Sequence, residues 1–182
     1  MTVALHLIQI LHRPRITVSS TSFFCLFFYN FDLFFFDLVC DDTWELQTIG
    51  SRSLCFKHLG TGTWAESDAW CAAEGASLFL PLNAQENNEF YSYTQTFTDL
   101  NGGWWLDGID TAKEGTWRTS AGDLITYFNW NSGQPDNAGG NEHWLHYHGP
   151  WGKNWNDITA GYNEHALCQK PPTRKNSCSE TI

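Results

Sequence analysis

The chain has 182 residues, of which 20 are acidic and 16% are aromatic, and its formal net charge is −10 at neutral pH. This length fits one domain with short extensions, and ten Trp and thirteen Phe can form a large core. The acidic surplus and the lack of a basic patch argue against nucleic-acid binding and suit a cation-binding protein.

Residues 1–38 have the order of features that is typical of a signal peptide. Arg13 and Arg15 precede an apolar, Phe-rich run over residues 23–36. An Asn and an Asp interrupt the run, and a stable membrane span needs about 20 apolar residues. We therefore expect a cleaved signal peptide and a secreted protein. An uncleaved type II anchor, which alone would place the protein on a membrane, and a mistaken gene extension are the alternatives.

The cysteines are widely spaced, and none forms a C-x-x-C pair that would suggest zinc or redox chemistry. This pattern in an aromatic-rich and Gly-rich chain predicts disulfides and an oxidising compartment. A cleaved leader would remove the first of them. The six are Cys25, Cys40, Cys55, Cys71, Cys168 and Cys178.

The first part of the domain is predicted to be a hairpin followed by a helix. The hairpin covers residues 40–57, with Trp44 as its core contact. Thr63 with Glu66 three residues later is a capping box, which predicts the helix start, and Gly75 predicts its end.

A second helix is expected to begin after Asn83, since Glu86 again follows three residues later, and to run through Tyr93. Short strands and long loops then follow, with strands expected at 102–105, 115–117 and 127–130. Two helices with many short strands predict an α+β domain with much irregular structure. Residues 171–182 are polar and are expected to form a flexible C-terminal tail.

Five side chains between residues 134 and 157 can each offer an oxygen ligand to a metal ion. Ca²⁺ takes roughly 6–8 oxygen ligands and accepts carboxylates and amide carbonyls. The set therefore predicts a calcium site whose open positions could hold sugar hydroxyls. The five are Gln134, Asp136, Glu142, Asn156 and Asp157.

These motifs resemble those of the C-type lectin domain. In that family a Gln-Pro-Asp triplet, here 134–136, a Glu eight residues after its Gln, here Glu142, and a Trp-Asn-Asp triplet, here 155–157, form the sugar-binding calcium site. Further matches are Trp64 seven residues before Cys71, Gly-Ala-Ser-Leu at 75–78, Glu-Gly-Thr-Trp at 114–117 and Ala-Leu-Cys at 166–168.

The resemblance implies a C-type lectin-like fold over residues 39–170, with two helices, short antiparallel sheets and a long calcium-binding loop region. It pairs Cys40 with Cys55 and Cys71 with Cys168. A third bond that is usual in the family is absent, because its two positions hold Trp144 and Ala160. We expect these two residues to fill the space by packing, at the cost of a looser loop.

The amide-then-acid order of Gln134 and Asp136 is the galactose-type order of the family. It implies a lectin for glycans with terminal galactose or related sugars. Ala138 stands where galactose-type domains usually place a stacking Trp, so stacking is left to Trp144, Trp151 or His143. The predicted sugar-binding residues are Gln134, Asp136, Glu142, Asn156, Trp144 and Trp151.

An auxiliary calcium ion is common in the family, and Asp110, Glu114 and Asn137 match its ligand positions here. Asn137 and His143 stand where acids are often found, so the site is expected to be weak. Cys178 is left without a partner by the resemblance, and it either links two chains into a dimer or stays free.

Three other interpretations follow from the residues. His146 and His148 would share one face of a strand, for which a polar strand face is favoured over a zinc site. The fold could serve protein or lipid binding, with calcium only ordering the loop. An enzyme is not expected, because no nucleophile with an oriented base can be identified and calcium activates water poorly.

Overall fold

The computed structural model describes residues 36–97, 102–148 and 152–176. Within them, two α-helices accompany nine strands and a 3₁₀ turn, and neither helix is long and apolar enough to cross a membrane. The elements are β1 Phe36–Val39, β2 Glu45–Ile49, β3 Arg52–Gly62, α1 Trp64–Ala73, β4 Ser77–Leu78, α2 Ala84–Thr94, β5 Trp104–Ile109, the 3₁₀ turn Ala138–Gly140, β6 Trp144–Tyr147, β7 Trp155–Ile158, β8 Glu164–Lys170 and β9 Thr173–Asn176.

Both helices begin where the sequence predicts. Thr63 caps α1 with a complete capping box, in which its side chain accepts from the N–H of Glu66 and the Glu66 carboxylate accepts from the Thr63 N–H. Asn83 caps α2 by accepting from the N–H of Glu86 at 3.0 Å. Gly75, with a φ of 67°, follows α1 in the left-handed conformation that ends many helices.

A seven-stranded sheet joins the two ends of the domain. Its strand order is β2-β3-β8-β5-β6-β7, with β4 added to β8. All the pairs are antiparallel except β5 with β8, which are parallel at Trp104 and His165. The expected hairpin is the β2–β3 pair, and Trp44 is buried beside it. The architecture is α+β, as predicted.

The sheet separates two aromatic cores because neighbouring residues of a strand face opposite sides. Trp104 packs in the core that contains Phe90 of α2, whereas Trp105 packs in the core that contains Trp64 of α1. The indole N–H of Trp64 donates to the Leu106 carbonyl at 2.9 Å. Helix α1 is thereby fixed to the centre of the sheet.

Both predicted disulfides, Cys40–Cys55 and Cys71–Cys168, are present. The first joins the start of the domain to β3. The second joins α1 to β8 across a sequence separation of 97 residues. Cys25 and Cys178 lie outside the described residues.

Two expected strands are not formed. Residues 115–117 lie in a turn and loop without a bridge, and residues 127–130 make one isolated bridge, at Trp130. The prediction was wrong because Trp117 and Trp130 suggest a strand by composition, while their rings pack together, 5.4 Å apart, in a loop.

The two ends of the described chain pair with each other. Strand β1 pairs antiparallel with β9, with Val39 opposite Thr173. Three residues of the expected leader and four of the expected flexible tail thus form strands. The sequence analysis did not foresee this pairing, since it joins segments that are distant in the chain.

Candidate functional site

The Gln-Pro-Asp loop, residues 134–136, lies beside strand β7, since the N–H of Asp136 donates to Asp157. The N–H of Gln134 donates to the Asn131 carbonyl at 3.0 Å, and the Gln134–Pro135 peptide bond is cis. The 3₁₀ turn follows, in which the N–H of Gly140 donates to the Asn137 carbonyl at 2.8 Å. The φ of +74° at Gly139 and Gly140 suits glycine, so these two residues permit the tight return of the chain.

Strand β7 carries the other half of the predicted site, Asn156 and Asp157. It is anchored by Trp155, which is fully buried and whose indole N–H donates to the side-chain oxygen of Asn87 on α2 at 2.6 Å. Pairing with β6 fixes β7 along its whole length. Asn156 and Asp157 are therefore presented from a rigid strand.

The loop is hydrogen-bonded to this strand through Asp157. One carboxylate oxygen accepts from the N–H of Asp136 at 3.2 Å, and the other accepts from the N–H of Asn137 at 2.8 Å. Glu142 closes the loop by accepting from the N–H of Ala138 at 3.0 Å. Three acidic residues of the predicted site thus meet in one place.

The carboxylates of Asp136, Glu142 and Asp157 each offer an oxygen atom within 4.8 Å of the others. Burial raises the pKa of Glu142, and the negative charges of Asp157 and Asp136 raise it further. Three carboxylates at this distance repel one another, and a bound divalent cation would relieve that repulsion.

Two amide oxygens of the predicted site are also suited to bind a cation. The side-chain oxygens of Gln134 and Asn156 are buried and have no hydrogen-bond partner among the described residues. Buried polar atoms are nearly always paired, and an amide oxygen can bind a hard cation. The five side chains that the sequence predicts therefore fit Ca²⁺ in donor type.

The predicted auxiliary site is internally paired. Asp110, which is 1% exposed, accepts from the N–H of Gly115 at 2.7 Å and contacts the Nδ1 of His143 at 2.9 Å. Glu114 accepts from the side-chain amide of Asn137 at 2.5 Å and lies 3.5 Å from His143. The side chains of this site therefore pair with one another, whereas the amide oxygens of Gln134 and Asn156 in the predicted calcium site have no partner among the described residues.

The candidate stacking residues have unequal positions. Trp144 is partly buried and packs against the core that contains Trp64, whereas Ala138 is exposed in the loop. Trp151 lies outside the described residues. Trp144 pairs with Ile158 across β6 and β7, and its predicted packing against Ala160 stays a prediction.

Asn137 has a larger role in the loop than its sequence position indicates. Its backbone N–H donates to Asp157, its side-chain oxygen accepts from the N–H of Glu142 at 3.1 Å, and its side-chain amide donates to Glu114. With a φ of 42°, it adopts the left-handed conformation that Asn tolerates. An Asn directly before a Gly-containing turn was the signal for this role.

The fold is that of a C-type lectin domain, and comparison with known proteins supports this class. The model of the family described as "Lectin C-type domain" matches residues 61–170, which is more than half of the chain. The chain belongs to the C-type lectin domain family, which includes non-enzymatic carbohydrate-binding lectins.

Individual relatives share the family at moderate identity. Perlucin from Haliotis laevigata is 31% identical over 109 residues, covering 59% of this chain and 70% of perlucin. The solved structure of the C-type lectin CEL-I from Cucumaria echinata has a TM-score of 0.64 at 22% identity, covering 71% of this chain and 96% of CEL-I. A solved calcium-independent type II antifreeze protein has a TM-score of 0.63 at 20% identity, covering 75% of this chain and 98% of that protein. At these identities the two structures show a shared fold.

Proposed function

We propose that this protein is a secreted, calcium-dependent lectin that binds glycans with terminal galactose or related sugars. The observation that carries the proposal is the pair of buried, unpartnered amide oxygens of Gln134 and Asn156 next to the carboxylates of Asp136, Glu142 and Asp157. This donor set suits Ca²⁺, and its two amide oxygens have no other partner among the described residues.

Bound calcium would supply open coordination positions for two neighbouring sugar hydroxyls. The protein residues act around those hydroxyls. The Glu142 carboxylate accepts a hydrogen bond from a hydroxyl, and the side-chain amide of Asn156 donates one. Asp157 holds the loop against β7, so that Asp136 and Glu142 face the same point.

The galactose preference rests on the order of Gln134 and Asp136. In this order an amide comes before an acid. An amide can donate a hydrogen bond and a carboxylate can only accept one, so the order decides which sugar hydroxyl finds a donor and which finds an acceptor. Ala138 offers no aromatic face, and Trp144 is packed against the core. Single-site affinity should therefore be weak, and several sites on one target would be needed for firm binding.

A protein- or lipid-binding domain in which calcium only orders the loop is the second candidate. The exposed Ala138 favours it, because that position offers no aromatic face on which a sugar could stack. A calcium-independent antifreeze protein shares the fold at a TM-score of 0.63, so the fold by itself does not require a calcium-bound ligand.

The auxiliary site is proposed to remain without calcium. His143 and Asn137 already partner Asp110 and Glu114, as their contacts of 2.9 Å and 2.5 Å indicate. A cation would have to displace both partners, and fewer carboxylates weaken a calcium site. We therefore expect one calcium ion per chain.

Retention of the full chain on immobilised galactose and mannose tests the proposal. Retention on galactose with calcium, and release by a chelator, is expected. Asn156→Ala should abolish retention, whereas Asn141→Ala, an exposed Asn of the same loop, should leave it intact. Exchanging the triplet by Gln134→Glu with Asp136→Asn should shift retention towards mannose. If neither column retains the protein while calcium still raises its melting temperature, the second candidate is favoured.

A further inference from the structure

The turn after β5, residues 110–116, is joined to the residue before β6 through the side chain of His143. The Asp110 side chain is fully buried, and one of its oxygens lies 2.9 Å from the Nδ1 of His143. One oxygen of Glu114 lies 3.5 Å from the same nitrogen. An ionised carboxylate can only accept a hydrogen bond, so this nitrogen carries the proton and donates. His143 therefore places one N–H donor between two acids.

Asn137 extends these contacts into the Gln-Pro-Asp loop. Its side-chain amide donates to Glu114 at 2.5 Å, and its side-chain oxygen accepts from the N–H of Glu142 at 3.1 Å. Its backbone N–H donates to Asp157 at 2.8 Å. Glu142 and Asp157 are two of the predicted calcium ligands, so a continuous set of contacts leads from the buried Asp110 to the calcium site. We call this set of four residues, Asp110, His143, Glu114 and Asn137, the loop brace.

The loop brace starts from a turn that is fixed by its own hydrogen bonds. The Asp110 carboxylate accepts from the N–H of Gly115 at 2.7 Å, and the Asp110 carbonyl accepts from the N–H of Lys113 at 2.9 Å. The N–H of Asp110 donates to the His143 carbonyl at 3.2 Å. Glu114 lies within this turn, so its carboxylate is held at a defined position opposite Asn137.

The loop brace stands at the position of the auxiliary calcium ion that the family resemblance implies. Asp110, Glu114 and His143 each offer a ligand atom within 4.8 Å of the others. Two carboxylates at this distance repel each other unless a positive charge or a hydrogen-bond donor lies between them. The imidazole N–H of His143 and the side-chain amide of Asn137 are such donors. The residues present therefore fit internal pairing and do not fit a calcium ion, which takes oxygen ligands.

We propose that His143 and Asn137 are positioning residues that hold the Gln-Pro-Asp loop in its calcium-binding form, in place of an auxiliary ion. The inference rests on the proposed calcium site, since it gives these residues a role in shaping that site. Asn137 holds Glu142 and Asp157 before any ion binds, so calcium meets a preformed set of ligands. Such preorganisation raises affinity because the free energy of binding is not used to order the loop.

Hydrogen exchange of the calcium-free full chain, followed by NMR at single amides, tests this role without calcium or sugar. We expect the N–H groups of Asn137 and Glu142 to be protected. His143→Ala and Glu114→Ala should each speed their exchange about tenfold. His143→Asn should keep the protection, because its side-chain amide can donate from a nitrogen that is as many bonds from the backbone as the Nδ1 of histidine. Asp123→Ala, which removes an exposed acid outside the loop brace, should leave the exchange unchanged.

Calorimetric titration of His143→Asp with calcium tests whether the donor stands in place of an ion. This change puts a third carboxylate beside Asp110 and Glu114, so the loop should exchange faster without calcium. With calcium, the variant should bind two ions where the unmodified chain binds one, because an oxygen ligand has replaced the donor. A single ion bound by His143→Asp, or a second ion bound by the unmodified chain, would overturn the proposal.

The exchange rates can also overturn the proposal. Unchanged rates in both His143→Ala and Glu114→Ala would do so. Equal losses of protection in His143→Ala and His143→Asn would do so as well, since ring packing and not the donor would then order the loop. Near-UV circular dichroism checks that each variant is folded, and Glu114→Ala decides the matter if His143→Ala does not fold. If the unmodified chain binds no calcium, the proposed lectin function fails, while the exchange rates still decide whether His143 orders the loop.

Discussion

The carboxylate of Asp157 accepts a hydrogen bond of 2.8 Å from the backbone N–H of Asn137, twenty residues earlier in the chain. Its other oxygen accepts from the N–H of Asp136 at 3.2 Å. One side chain on a buried strand therefore shapes the loop that carries the remaining ligands. Asp157 is both a predicted calcium ligand and the residue that organises the loop.

Asp157→Asn should damage both roles. The amide can accept only one of the two hydrogen bonds, and its neutral group binds calcium less well. We expect calcium affinity to fall at least about tenfold, and the calcium-free protein to melt about 4 °C lower for each kcal/mol lost. Calorimetry and thermal unfolding measure these effects. Asp42→Asn, on an exposed turn, makes the same charge change as a control, and equal effects of the two changes would refute the argument.

The two disulfides should differ in their contributions to stability. The chain-entropy model gives about 3 kcal/mol for a loop of about 15 residues and about 4.7 kcal/mol for one of about 100. The observed separations are 15 residues for Cys40–Cys55 and 97 for Cys71–Cys168. Urea unfolding of the two paired Cys→Ala variants should show the larger loss for Cys71 and Cys168. The reverse order would show that packing outweighs loop entropy here.

These features show which parts of the fold a sequence can predict. The helix starts at Thr63 and Asn83 were predictable because each cap involves residues three apart. The β1–β9 pairing was not, because its partners lie well over 100 residues apart and no local pattern encodes the register. Trp117 and Trp130 were assigned to strands because their composition cannot separate a strand from a packed loop.

A buried ion pair couples the hairpin to α2, and its loss should be costly. Glu86 is 2% exposed, and its carboxylate accepts from Arg52 at 2.6 Å and from the N–H of Leu82 at 2.8 Å. Arg52→Ala leaves this acid buried without its cation, which typically costs about 3–5 kcal/mol.

A surface pair provides the comparison. Lys57 contacts Glu74 at 2.9 Å, and Glu74 is exposed. Lys57→Ala should cost much less than Arg52→Ala, because solvent screens an exposed ion pair. Urea unfolding of both variants measures the difference. A loss below 1 kcal/mol for Arg52→Ala would contradict the structural role given to Glu86.

Acid should destabilise the protein through buried histidines. Burial lowers the pKa of His58 and of His165, and the charge of His58 lowers that of His165 further, while Glu164 partly opposes this. Their rings lie 5.3 Å apart beside Trp104. Below the ordinary histidine pKa of about 6.5, the unfolded chain binds more protons than the folded chain, so stability falls with falling pH.

Thermal unfolding between pH 7.5 and 5, with bound metal ions removed by a chelator, checks this expectation. The melting temperature should fall as the pH drops through about 6.5, before most carboxylates titrate. His58→Gln should make the fall shallower because it removes one of the two groups. An unchanged melting temperature over this range would show that these histidines are protonated without cost.

The residues of the candidate site could be named from the sequence, but not all of their contacts. Gln134, Asp136, Glu142, Asn156 and Asp157 could be singled out because the residue types match the chemistry of calcium. The pairing of His143 with Asp110 was not visible, since it joins residues 33 apart through side-chain rotamers. The burial of His146 was also missed, because a strand with alternating polar residues suggests an exposed face.

Calorimetric titration of galactose into the calcium-loaded full chain, repeated after chelation, shows whether the sugar binds through the metal ion. We expect one calcium ion per chain and galactose binding that disappears with the calcium. Calcium binding without any response to galactose or mannose would contradict the lectin assignment. Galactose binding that persists after chelation would contradict the role given to Gln134, Asn156 and their neighbouring carboxylates.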